Sequence, residues 1–194
     1  MTGAVAHRVV AITGAGGALG AAIARRLADE PGTDLVLSDV SAESLAATTG
    51  PLVDAGARTA TVLADVSDFS QVEAVVQLAV DRFGHLDVLI SNAGVLAPNG
   101  RIHNLATEDW ERAFRVNVLG AVNGIRVNCV CPGTFRSAIH TGLPQEALDA
   151  IAARHPLGLG SATDLVGAYS YLASDDSRWT TGSALVIDGG YSAP

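Results

Sequence analysis

The chain has 194 residues, a hydrophobic fraction of 48% and a formal net charge of -8. That length and composition fit one domain able to bury about 70% of its unfolded surface, and the acidic balance (pI ≈ 4.9) argues against nucleic acid or an anionic membrane as partner. All 12 basic residues are arginine, so a P-loop, whose lysine must reach the phosphates, is excluded.

No linker or internal repeat divides the chain, so residues 1–194 are read as a single domain. No apolar run approaches the ~20 residues a membrane helix needs, and Met1-Thr2-Gly3-Ala4 does not resemble the start of a signal peptide. A cytoplasmic location is the expectation. Cys129 and Cys131 alternate on an expected strand, too close for a relaxed disulfide and too few for a zinc site. They are expected to be buried structural residues.

Arg8 to Thr13 carries Val9, Val10 and Ile12, the β-branched content of a buried parallel strand. Thr13-Gly14-Ala15-Gly16-Gly17-Ala18-Leu19-Gly20 then leads into Leu19, Ile23 and Leu27 at helical spacing. A strand turning through glycines into a helix aims free N–H groups and the positive helix end at one point, which suits a diphosphate. A second strand, Asp34 to Asp39, follows Pro31-Gly32. Asp39 stands 19 positions after Gly20, where an acid binds the adenosine ribose and repels a 2′-phosphate, so NAD is the expected cofactor.

Ser41 to Gly56 reads as helix interrupted at Gly50-Pro51. Thr59 to Ala64 is a third strand, ending in Asp65-Val66. Phe69, Val72, Val75, Val76, Ala79, Val80 and Phe83 mark one face of an amphipathic helix that Gly84 stops. Leu86 to Ile90 is a fourth strand leading to Ser91-Asn92-Ala93-Gly94. The alternation predicts an α/β fold: a Rossmann-type doubly wound parallel sheet in three α/β/α layers, with ligands at the carboxyl ends of its strands.

Together these motifs resemble the short-chain dehydrogenase/reductase family. Thr13 to Gly20 is similar to its T-G-x-x-x-G-x-G loop, and Asn92-Ala93-Gly94 to its N-A-G motif. Asp65-Val66 matches its adenine-contacting pair, Asn117 its catalytic helix asparagine, and Pro132-Gly133 its loop beside the nicotinamide. Ser137 takes the place of the threonine that steadies the nicotinamide amide, and Trp179 to Gly190 resembles the family's C-terminal signature. The resemblance implies reversible hydride transfer between a nicotinamide cofactor and a small-molecule alcohol or carbonyl. The cofactor-binding positions it implies are Gly14, Gly17, Leu19, Gly20, Asp39, Asp65, Val66, Asn92, Ala93, Gly94, Pro132, Gly133 and Ser137, and no metal is expected. Ala18 replaces the middle glycine, with Gly17 offering compliance one residue earlier in a Gly14-x-x-Gly17-x-x-Gly20 spacing.

A second departure is larger. The helix expected from Thr107 through Asn117 toward Gly120 runs through Ala121-Val122-Asn123-Gly124 directly into a strand over Arg126 to Cys131. The strand with the family's catalytic serine and the helix with its Tyr-x-x-x-Lys have no counterpart. The tyrosines are Tyr169, Tyr171 and Tyr191, and a chain without lysine holds no Tyr-x-x-x-Lys. In the family the tyrosine passes the proton to or from the substrate oxygen, while the lysine lowers its pKa and holds the nicotinamide ribose. Either the natural protein carries a segment this sequence lacks, or the chain folds without it. In the second case the Arg126 to Cys131 strand is expected to pair beside the Leu86 to Ile90 strand, giving one strand fewer than the family norm.

Beyond Gly133 the sequence predicts a short helix with Ala147, Leu148 and Ile151, a helix over Thr163 to Ala173 and a last strand over Ala184 to Ile187. His140 and His155 have no carboxylate or lysine near them in sequence and are not expected to replace the missing acid. The resemblance implies a homodimer or homotetramer, of which the contact through the last strand and its preceding helix is the one this chain retains. Three functional readings follow: an NAD-dependent oxidoreductase with turnover near background in this chain, a catalytically silent NAD-binding or scaffolding module, or an inactive deletion product.

Overall fold

The computed structural model describes residues 7–95, 126–137, 140 and 143–193. Two compact units are described, one on each side of the junction between Val122 and Asn123. Asn117, the helix expected around it and the turn at Asn123-Gly124 lie outside the described residues.

The first unit is a four-stranded parallel sheet in the order β3-β2-β1-β4. β1 is Arg8–Thr13, β2 Thr33–Asp39, β3 Thr59–Leu63 and β4 Val88–Ile90. The helices α1 (Ala18–Ala28), α2 (Ala42–Asp54) and α3 (Phe69–Phe83) make the three crossovers. β1 pairs with β2 from Arg8 opposite Thr33 to Thr13 opposite Ser38, and with β4 from Val10 opposite Val88 to Ile12 opposite Ile90. Because parallel crossovers are right-handed, the steps to β2 and β3 put α1 and α2 on one face, and the return from β3 to β4 puts α3 on the other. The direction reverses between β1 and β4, so their carboxyl ends border the crevice where open α/β sheets bind ligands.

Burial follows this layout. Val9, Ala11, Val36 and Ala60 pack with Val75 and Ala79 of α3. Val10, Ile12, Leu35 and Leu37 on the opposite face are also wholly buried, as are Ile23 and Leu27 of α1. Both faces of β1 and β2 are therefore covered, which is why these strands read as unbroken apolar runs. α3 starts at Asp68, whose side chain accepts the Ser70 N–H, and ends at Gly84 in the left-handed conformation with φ 91°. Its expected apolar face is only partly used: Val75 and Ala79 are buried, whereas Phe69 is 81% exposed.

Gly50-Pro51 does not interrupt α2. The proline removes one backbone donor, but the Ala55 N–H still bonds the Pro51 carbonyl at 3.1 Å, and Leu52 is buried beside it. An exposed proline one turn from a helix end loses a bond there without breaking the packed face.

The second unit holds a two-stranded parallel sheet of β5 (Cys129–Pro132) and β6 (Ala184–Ile187), with Cys129 opposite Ala184 and Pro132 opposite Ile187. It also holds the helices α4 (Gln145–Ala152) and α5 (Val166–Leu172). Among the described residues β5 is hydrogen-bonded to β6 alone. Side chains fix that choice. Arg126 donates to the carbonyls of Thr180 and Leu172, each at 3.1 Å, Asn128 Nδ2 donates to Thr180 O at 2.9 Å, and the Ser183 N–H donates to Asn128 Oδ1 at 3.1 Å. These bonds tie the approach to β5 to the segment before β6.

The helix expected over Thr163 to Ala173 divides into a 3-10 turn at Ala162–Asp164 and α5. A capping box between Ser161 and Asp164 tightens its first turn. The cysteines also depart from expectation. Cys129 is exposed and Cys131 half-buried. Among the described residues no helix is long and apolar enough to cross a membrane.

Candidate functional site

The turn after β1 is built by close backbone approach. Gly14 has φ 64°, and a Cβ there would stand 2.8 Å from the Ala93 Cα. At Gly20 a Cβ would collide with the Gly14 carbonyl oxygen and come within 2.9 Å of Asn92 Nδ2. Gly17 is the N-cap of α1 in extended geometry, and its Cβ would meet only the Gly14 oxygen at 3.3 Å. The position that tolerates no side chain between Gly14 and Gly20 is Gly16, where a Cβ would lie 2.6 Å from the Ser44 Cβ and 3.0 Å from Asp39 Oδ2. Ala18 is the first residue of α1 and is exposed, so its methyl group displaces no packing partner.

No side chain caps α1, and its first turn holds no acid. The amides of Ala18, Leu19 and Gly20 therefore open the helix with no internal carbonyl to bond, at the positive end of the helix dipole. Arg25 and Arg26 complement the other end. Ala18 is exposed, Leu19 half-buried and Gly20 buried, so the helix opening is accessible at its first two residues. The cradle fits a diphosphate in its donor set and in the absence of a covering side chain.

Asp39, the last residue of β2, holds this turn from the side. Its Oδ2 accepts the Gly16 N–H at 2.9 Å and its Oδ1 accepts the Ser41 N–H at 3.0 Å. Thr48 of α2, 3% exposed, donates its hydroxyl to the Ala15 carbonyl at 3.1 Å. β2 and α2 thus fix the loop after β1, and the side-chain layout puts one carboxylate beside it.

Asn92 fastens the other flank. Its Nδ2 donates to the carbonyls of Thr13 and Gly14 at 3.0 and 3.1 Å, while the N–H groups of Asn92 and Ala93 both donate to Thr13 Oγ1 at 3.1 Å. Gly94 follows on the exposed side. Asp65 lies at the end of β3, exposed, with its Oδ1 accepting the Ser67 N–H at 2.9 Å and its own N–H bonded to Gln71 Oε1 at 2.9 Å. Val66 beside it is buried. Thr13, the first residue of the glycine motif, and Gly16, Ser41 and Thr48 are not among the cofactor-binding positions the resemblance implies. Only Thr13 left a readable signal, a hydroxyl at the carboxyl end of a buried strand directly before the glycine turn.

Pro132, Gly133 and Ser137 belong to the second unit. A Cβ on Gly133 would stand 2.6 Å from the Asp188 Cα, and its N–H bonds the Ile187 carbonyl at 3.0 Å, so the end of β5 lies flat against the end of β6. A cavity of about 260 Å³ opens beside it, lined by Gly133, Thr134, Leu157, Gly160, Asp164 and Asp188 among others. Ser161 side-chain and backbone hydrogen bonds hold the Asp164 carboxyl below the usual carboxylate range. Ser137 Oγ lies 3.5 Å from His140 Nδ1. His155 is 4% exposed; its Nε2 accepts the Thr134 N–H at 3.2 Å and its Nδ1 donates to the Ile151 carbonyl at 2.9 Å. With both nitrogens committed to the backbone, His155 is a structural clamp.

Comparison with known proteins agrees with this geometry. The short chain dehydrogenase family model matches residues 8–126, and that of the enoyl-(acyl carrier protein) reductases matches residues 119–192. The cis-4-hydroxycyclohexanecarboxylate dehydrogenase of Sinomonas cyclohexanicum is 32% identical, with 98% of each chain covered. The meso-2,3-butanediol dehydrogenase of Serratia marcescens is 30% identical, covering 96% of this chain and 95% of its own. A blue fluorescent protein from a metagenomic library, solved in complex with NADPH, superposes with a TM-score of 0.85 at 25% identity, covering 97% of this chain and 99% of its own. The first alignment runs over 247 positions against a chain of 194 residues, so the difference consists of positions in the relative that have no counterpart here. The chain belongs to the short-chain dehydrogenase/reductase family of oxidoreductases.

Proposed function

We propose that the chain is a single cytoplasmic dinucleotide-binding domain of this family that selects NAD, binds it at the turn after β1, and has lost the groups that move the proton. Bound there, the cofactor supplies the hydride acceptor or donor. The first-turn amides of α1 hold its diphosphate, and Asp39 accepts from the adenosine ribose while opposing a 2′-phosphate. Asp65 and Val66 border the adenine and Asn92 to Gly94 close the cradle; the family resemblance assigns Pro132, Gly133 and Ser137 of the second unit to the nicotinamide.

The observation that carries the cofactor choice is the pinning of Asp39 by the Gly16 and Ser41 N–H groups, which leaves a fixed negative charge at the ribose end of the loop. The observation that favours a silent binding module over a working dehydrogenase is in the sequence. With no lysine in the chain and no Tyr-x-x-x-Lys, only Asn117 remains to match the family's catalytic set. An alcohol brought to the site lacks the Tyr-x-x-x-Lys pair that takes its proton in the family.

Titration of the purified chain with NAD⁺ and NADP⁺, followed by assays of NADH formation with cis-4-hydroxycyclohexanecarboxylate and meso-2,3-butanediol, tests both parts. NAD⁺ should bind at least ~10-fold tighter than NADP⁺, since a charge-assisted hydrogen bond contributes ~1.5–3 kcal/mol. Asp39→Asn should narrow that ratio, and turnover should stay near background. Equal or tighter binding of NADP⁺ overturns the cofactor assignment, ordinary turnover overturns the silent reading, and no binding of either nucleotide overturns the cradle.

A further inference from the structure

The two cysteines have no part in the cofactor site. They stand two residues apart on β5, so their side chains share one face of the strand. Their Sγ atoms are 3.7 Å apart, Cys129 is exposed and Cys131 half-buried. A disulfide would require the sulfurs to close to ~2.05 Å between Cα atoms ~6.6 Å apart, at the upper end of the range disulfides span. A tetrahedral ion is a better match. Two thiolates, each ~2.3 Å from one metal, stand ~3.8 Å from each other.

We propose that Cys129 and Cys131 form a dithiol site for a thiophilic divalent cation of the zinc and cadmium class. The pair already has the required bite, and the exposure of Cys129 gives the ion a path in. Among the described residues no group of three ligating side chains forms, so the protein supplies two sulfurs and water completes the coordination. On binding, each thiol releases its proton and two metal–sulfur bonds form; no electron is transferred. Cys131 directly precedes Pro132, which places the bound ion at the root of the Pro132-Gly133 turn.

The test is titration of the reduced full chain with Cd²⁺, read by the ultraviolet thiolate-to-cadmium absorption and by mass spectrometry of the native protein. The proposal expects saturation at one ion per chain and protection of both cysteines from maleimide. Cys129→Ser and Cys131→Ser, each checked for folding by circular dichroism, should each weaken binding about a hundredfold as the chelate becomes a single ligand. If either variant does not fold, maleimide protection in the unsubstituted chain decides. Binding unchanged in a single variant, one ion shared by two chains, or no absorption and no protection would each overturn the site.

Discussion

Asn92 and Thr13 hold each other in both directions: the Asn92 side chain donates to the Thr13 carbonyl at 3.0 Å, and the Asn92 N–H donates to Thr13 Oγ1 at 3.1 Å. One residue ends β1 and the other follows β4, so the two loops bordering the crevice are locked together by side chains. The geometry of the glycine turn is therefore set by the strand on its far side as well as by its own backbone. The second Asn92 bond, to the Gly14 carbonyl at 3.1 Å, fixes the residue whose φ of 64° starts the turn.

Thr13→Val tests this lock with almost no change of volume. Thr13 is 2% exposed, and its hydroxyl oxygen accepts the N–H groups of both Asn92 and Ala93. Valine leaves both donors without that acceptor, which should cost about 1–3 kcal/mol of unfolding free energy and weaken dinucleotide binding. Thr13→Ser keeps the oxygen and should restore most of both. Urea denaturation of the three proteins distinguishes this from a packing role, under which serine would be the worse substitution.

A glycine series separates close packing from mere compliance. Gly14→Ala meets the Ala93 backbone at 2.8 Å in a left-handed conformation, itself about 1–2 kcal/mol unfavourable for a residue with a Cβ. Gly16→Ala drives its methyl into Ser44 at 2.6 Å and toward the Asp39 carboxylate. Gly17→Ala has an ordinary φ of -75° and one contact at 3.3 Å, so its effect should be the smallest of the three. Thermal unfolding midpoints should fall most for Gly14 and Gly16. A larger loss at Gly17 would show that the N-cap backbone, and not the packing of the turn, limits this loop.

The elements that local chemistry punctuates were legible in the sequence. β1, α3 and β6 have the bounds that a buried apolar run, an amphipathic face with a glycine stop, and a strand before Asp188-Gly189 predict. What sequence did not reveal depends on partners distant along the chain. Pro51 looks like a break because the packing of Leu52 cannot be read from the local pattern. β5 found β6 through Arg126 and Asn128, whose acceptors at Leu172 and Thr180 lie about fifty residues on. In the site, the glycine spacing located the turn, but it did not reveal how closely Gly16 is packed. The reason is that the obstruction comes from Ser44 on α2 and Asp39 on β2, not from the turn itself.

The cap of α3 predicts a dependence of stability on pH. Hydrogen bonds from the Ser70 hydroxyl, then the Gln71 side-chain amide and the Ser70 N–H, hold the Asp68 carboxyl below its ordinary value of 3.8. Its folded pKa is thus lower than its unfolded one, so the ionised cap stabilises the chain above pH 3.8 and that contribution is lost as pH falls through the folded value. Asp68→Asn keeps a capping oxygen for the Ser70 N–H but removes the charge beside the positive end of α3. The stability gap between the unsubstituted chain and this variant should be largest near neutrality and shrink on acidification below pH 3.8. Urea midpoints measured from neutral to acid pH give the curve. A gap that stays constant across that range would mean that the Asp68 geometry, and not its ionisation, starts the helix.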